Sequence, residues 1–75
     1  MGGELPRVTA KQIINVLERI GFVCVRQSGS HKIYKNPHGK RATVPYHSSE
    51  ILHPKLLKSI LKDIDLTVEG LKELL

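Results

Sequence analysis

The sequence predicts an α+β domain in the order helix, three-stranded antiparallel sheet, helix, with a short C-terminal helix. Three observations carry this. An apolar face at helical spacing (Ile13, Ile14, Leu17, Ile20) ends at Gly21. Three short β-rich runs follow, separated by Gly-, Ser-, Asn- and Pro-containing turns. A second apolar stripe (Leu56, Leu57, Ile60, Leu61, Ile64) then returns to helical spacing. One helix layer on one sheet face would bury all of these apolar groups together.

The first helix has a start signal. Thr9-Ala10-Lys11-Gln12 matches a capping box, in which the Thr9 hydroxyl accepts from the backbone and Gln12 reaches back. Val8 and Ile13 can form the hydrophobic staple around it. Gly21 suits the helix C-terminus, and Phe22 can fold back on Leu17. The strands are expected over residues 22–27, 31–36 and 40–44, with turns at Ser28-Gly29-Ser30 and Asn36-Pro37-His38-Gly39. Ile33 and Tyr34 are neighbours and point to opposite faces, so only one can lie fully in the core. Tyr34 is the expected core residue, and Tyr46 could stack on a base. The orientation of His31, two residues from Ile33, is left open. A polar loop over residues 46–50 leads to the second helix, where Pro54 suits the first turn and His53 precedes it. Lys55, Lys58 and Lys62 are expected to face water. Thr67 caps a short last helix that Gly70 weakens, so that helix needs the core or a partner to hold it.

The chain of 75 residues is expected to form one domain over 1–75, with 1–7 flexible. A domain of this size buries only about 60% of the surface of its unfolded chain. It cannot enclose a deep pocket, so no cofactor is expected, and any site should be a shallow surface or be completed by a partner. The single cysteine, Cys24, excludes an internal disulfide and is expected to be a buried strand residue. No apolar run is long enough for a membrane span, and no signal peptide is read. A cytoplasmic, membrane-free protein is the expectation.

The net charge is +5. No acid lies between Glu18 and Glu50, while Arg19, Arg26, Lys32, Lys35, Lys40 and Arg41 all fall there. Residues 63–75 reverse this, with Asp63, Asp65, Glu69 and Glu73 against Lys72. A basic middle suggests a surface for a polyanion. Within it, His31 stands at the head of a strand, directly after Ser28-Gly29-Ser30. Gly29 can take the positive φ of a tight turn, and Ser30 can brace it. Histidine exchanges a proton near neutral pH, so a strand-held His31 among cations suits cleavage of RNA without a metal. A base removes the ribose 2′-hydroxyl proton, the oxygen attacks the adjacent phosphate, cations stabilise the added charge, and an acid protonates the departing 5′ oxygen. His38 is expected to be an exposed turn residue. His47 is an outside candidate for a second proton carrier. Cys24, His47 and His53 lack the spacing of a zinc site.

Several stretches taken as a set resemble the HicA family of toxins. They are Gly21-Phe22, Arg26-Gln27-Ser28-Gly29-Ser30-His31, Asn36-Pro37-His38-Gly39-Lys40-Arg41, Thr43-Val44-Pro45 with His47, Leu57-Lys58-Ser59-Ile60-Leu61-Lys62, and Leu66-Thr67-Val68-Glu69. The resemblance spans roughly residues 11–75. It implies a fold like the double-stranded RNA-binding domain. It also implies a toxin of a type II toxin–antitoxin pair that cleaves mRNA with His31 as the catalytic residue, and a HicB-like antitoxin covering the active surface. Arg26, Ser28, Gly29, Ser30, Lys32, Lys35, Lys40, Arg41 and His47 are the expected RNA contacts, and the toxin alone is expected to be a monomer. This chain departs from the family pattern at Lys32, where a second histidine is common. It departs again at His53-Pro54-Lys55-Leu56, where the second helix usually opens with Gly-Thr-Leu. Two other readings compete: a module that binds structured RNA without cutting it, and an interaction domain whose basic face docks an acidic protein.

Overall fold

A computed structural model describes residues 4–47 and 50–75. Residues 1–3 of the stretch expected to be flexible, and Ser48 and Ser49 of the polar loop, lie outside the described residues. The elements run α1 (Ala10–Arg19), β1 (Val23–Ser28), β2 (His31–Lys35), β3 (Arg41–Pro45), α2 (Pro54–Ile64) and α3 (Val68–Leu74). The strands form one antiparallel sheet in the order β1-β2-β3, so the expected α+β layout is the one the chain adopts.

The capping box closes α1 as expected. The Gln12 amide donates to Thr9 Oγ1 at 3.2 Å, and the Thr9 amide donates to Gln12 Oε1 at 2.8 Å. Val8 and Ile13 are both fully buried beside it. At the other end Gly21 takes φ +96°. The Phe22 amide reaches the Leu17 carbonyl at 2.9 Å and the Gly21 amide reaches Glu18 at 3.2 Å, which is the Schellman pattern. That reversal drops Phe22 into the core and starts β1.

The core lies between the helices and one sheet face. Ile13, Val16 and Leu17 of α1 and Leu57, Ile60, Leu61 and Ile64 of α2 meet Tyr34, Ala42 and Val44 of the sheet. The helix layer lies mainly over β3. Leu5 also packs against this core. The leg before α1 pairs with the leg before α2: Thr9 and Ile51 form an isolated bridge, and the Leu52 amide donates to Val8 at 2.8 Å.

The short α3 is held by the core. Leu71 is fully buried, and Arg19 of α1 donates to the Leu74 carbonyl at 3.1 Å. A Cβ at Gly70 would come within 2.8 Å of Leu66 Cδ1, the end of a side chain that can move aside.

Cys24 corrects the sequence expectation. It is exposed, as is every residue of β1. β1 is an edge strand that extends past the helix layer, so its β-rich composition does not bring burial.

Candidate functional site

The β1–β2 connection has two residues. Ser28 pairs with His31, which leaves Gly29 and Ser30 as the loop. Gly29 takes φ +58°, and Ser30 is not among the positive-φ residues. This sign pattern is that of a type II′ hairpin turn, which requires glycine at its first position. The side-chain brace comes from Gln27, whose Nε2 donates to the Gly29 carbonyl at 3.1 Å. The turn makes His31 the first ladder residue of β2, between Ser28 on β1 and Pro45 on β3.

Strand alternation then settles which way His31 points. Tyr34 is 2% exposed and faces the helices, so Lys32 lies on that same face, and His31, Ile33 and Lys35 lie on the other. Register carries the assignment across the sheet. Ile33 pairs with Thr43 and Lys35 with Arg41, while Tyr34 pairs with the buried Ala42 and Lys32 with the buried Val44. On β1, Arg26 pairs with Ile33 and Ser28 with His31. The helix-free face therefore presents His31, Arg26, Lys35 and Arg41 with Ser28, Thr43 and Pro45. His31, Arg26, Lys35 and Arg41 are all exposed, and no acid occurs in the sheet.

A β-bulge helps to place Arg26. The pairing jumps between Cys24 and Arg26, so Val25 is the extra residue. Without it, Arg26 would fall on the opposite face. Val23 and Val25 are 60% and 51% exposed along this edge.

The other expected contact residues are distributed differently. Lys32 is half-buried on the helix side, with its Nζ 4.4 Å from the centroid of the Tyr46 ring. Lys40 is exposed in the β2–β3 turn, where its amide donates to Asn36 Oδ1 at 2.8 Å. His47 is exposed just beyond β3, where the Tyr46 amide extends the ladder by donating to the Ser30 carbonyl at 2.6 Å. Tyr46 is half-buried, and its ring packs on the core. Its anchoring role leaves no pattern in the sequence beyond a tyrosine after Pro45. Thr43 and Pro45 join the open face without any charge to announce them. The signal that finds them is the alternation of β3, with Arg41 out, Ala42 in, Thr43 out and Val44 in.

His38 is exposed in its turn, its amide bound to Asn36 Oδ1 at 3.1 Å. His53 is the N-cap of α2: its Nδ1 accepts the Lys55 amide at 3.1 Å. The Tyr34 hydroxyl is held above its ordinary pKa of 10.0, first by burial and then by the neighbouring Cys24.

Fold and site together define a small α+β protein with one helix-covered sheet face and one open basic face that carries a histidine. A family model described as HicA toxin of bacterial toxin-antitoxin matches residues 2–66. The chain belongs to the HicA toxin family. It is the toxin of a toxin–antitoxin pair, and its partner is an antitoxin. No curated protein matches the chain. Among the described residues no helix is long and apolar enough to cross a membrane.

Proposed function

We propose that this toxin is a metal-independent endoribonuclease acting on mRNA in the cytoplasm, as a monomer when free of its HicB-like antitoxin. One observation carries the proposal. His31 stands on the open sheet face at the head of β2, sharing that face with Arg26, Lys35 and Arg41 and with no carboxylate in the strands. The imidazole takes the 2′-hydroxyl proton, the 2′ oxygen bonds to phosphorus, and the bond from phosphorus to the 5′ oxygen breaks. The cations stabilise the charge gathered on the phosphoryl oxygens. The departing 5′ oxygen takes a proton from a second carrier, for which His47 is the candidate. The products are a 2′,3′-cyclic phosphate and a 5′-hydroxyl. Lys32 and Lys40, away from this face by register or in the turn, serve as peripheral backbone contacts, and Gly29 and Ser30 set the loop.

The test is cleavage of a labelled RNA in EDTA by wild type and His31→Ala, with product ends analysed. Wild type should give cyclic-phosphate ends, and the variant should lose at least about 100-fold in rate. Equal cutting by both would remove His31 from the chemistry. Salt-sensitive binding with no cutting by either would leave the non-catalytic RNA-binding module.

A further inference from the structure

Tyr46 holds both chain neighbours of His31. Its amide donates to the carbonyl of Ser30 at 2.6 Å. Its ring lies 4.4 Å from the ammonium of Lys32. The ring is itself packed against the hydrophobic core, which includes Val44 two residues earlier on the same face. Residues 30 and 32 are thus fastened to one core-rooted residue, while residue 31 between them points to the opposite face. The cross-strand geometry explains why the contact forms. Lys32 pairs with Val44, so Tyr46 is its diagonal neighbour on the helix side, within reach of long and aromatic side chains.

The hairpin turn is braced by Gln27 but carries no apolar side chain rooted in the core. Gly29, next to the pair, needs its positive φ and has no side chain to pack. The pair of Ser28 and His31 is the last of the β1–β2 ladder and is closed by the two-residue turn. The Tyr46 anchor adds to this closure from the β3 side.

We propose that Tyr46 is a positioning residue for His31: its core-packed ring, gripping Lys32 while its amide grips Ser30, fixes the strand head from which His31 projects. Catalytic geometry is sensitive to displacements of about 1 Å, so a loosened strand head lowers turnover more than binding. The catalytic half of this rests on the ribonuclease reading above. The structural half does not.

Two variants separate the ring from the hydroxyl. Tyr46→Phe keeps the ring and should retain turnover within about two-fold. Tyr46→Leu keeps apolar bulk but removes the cation–π partner, and its kcat should fall roughly ten-fold or more with KM within about two-fold. Amide hydrogen exchange supplies a readout independent of cleavage. In Tyr46→Leu, exchange at His31 and Lys32 should accelerate by about ten-fold while that at Tyr34 stays near wild type. Lys32→Met deletes the ammonium and leaves the ring in the core. It should reproduce the faster exchange, and it guards against failure of Tyr46→Leu to fold. Unchanged exchange at His31 in a folded Tyr46→Leu protein would overturn the anchor. So would equal loss of turnover in Tyr46→Phe and Tyr46→Leu, because the hydroxyl would then be responsible. If His31→Ala cuts as well as wild type, the assignment of the chemistry to His31 fails and exchange alone decides the anchor. If His31→Ala is dead and Tyr46→Leu is fully active, only the positioning role fails.

Discussion

The two faces of the three-stranded sheet use similar strands for different ends. One face buries Tyr34, Ala42 and Val44 under the helices at 2%, 1% and 0% exposure. The other carries Arg26, His31, Lys35 and Arg41 in water. Both are built by the same alternation along the same strands. What separates them is the layer above: two amphipathic helices exclude water on one side, and the four charged or titrating residues of the other stand open. Stability is therefore concentrated on the helix side. Substitution on the open side should be free to change what the protein binds, provided that the turn presenting it survives.

The sharpest contrast is in unfolding free energy. Leu57→Ala, at a residue 1% exposed, should cost about 2–5 kcal/mol in urea unfolding. Val25→Ala on the exposed β1 edge should stay within about 0.5 kcal/mol. A comparable cost at Val25 would mean that the edge is covered in solution.

The exception on the open side is the turn. Gly29 has φ +58°, and a Cβ added there would meet no atom within 4 Å. The cost of Gly29→Ala is then purely one of backbone strain, on the order of 1–2 kcal/mol. Gly29→Asn should recover part of it, since asparagine is among the residues that take the positive φ of primed hairpin turns. If alanine and asparagine were both neutral in thermal unfolding, the hairpin would not depend on a type II′ turn.

A smaller effect concerns the titrating tyrosine of the core. The folded Tyr34 hydroxyl has its pKa raised above 10.0 by burial. The unfolded chain therefore loses this proton first. The contribution to stability is complete below about pH 10 and is lost as pH rises from there through the folded value. Tyr34→Phe should flatten that alkaline part of the stability curve and leave its slope near neutral pH unchanged. A curve superimposable on wild type above about pH 10 would contradict the burial.

The smallest stability effects, and the most informative for binding, are at the open-face cations. Lys35→Ala and Arg41→Ala should each change unfolding by less than about 0.5 kcal/mol. Each should reduce the slope of log affinity for RNA against log salt by about 1. Lys58→Ala, on the exposed side of α2, should leave the slope alone. An equal loss at Lys58 would show that charge in general, and not this face, attracts RNA.

Much of this is legible in the chain. The capping box at Thr9 and Gln12 and the stripe on α2 are local patterns, and both form as the sequence predicts. Gly29 before His31 points to a tight turn, and a tight turn sets a hairpin register. The order of elements and the family resemblance follow from such local signals. Cys24 defies its surroundings because β-rich composition reports a fit to a pleated surface and not which strand will be the edge. The cations look like one cluster along the chain because sequence proximity does not separate two sides of a strand.

Residues within a few positions of one another are enough to specify the helices, the turns, the order of strands along the chain and a histidine in an acid-free basic segment. At that range propensity, capping and φ preference act directly. Long-range packing makes the remaining choices. It bears out the expected choice of Tyr34 over Ile33 for the core, and with that it settles the orientation of His31, which the sequence left open. It places the bulge at Val25 that brings Arg26 to the same side as His31, and it sets Tyr46 beside Lys32 on the other. Each of these is a matter of register or layer, set by which apolar surface the helices cover. That choice is made by the whole core at once, and no short window of sequence contains it.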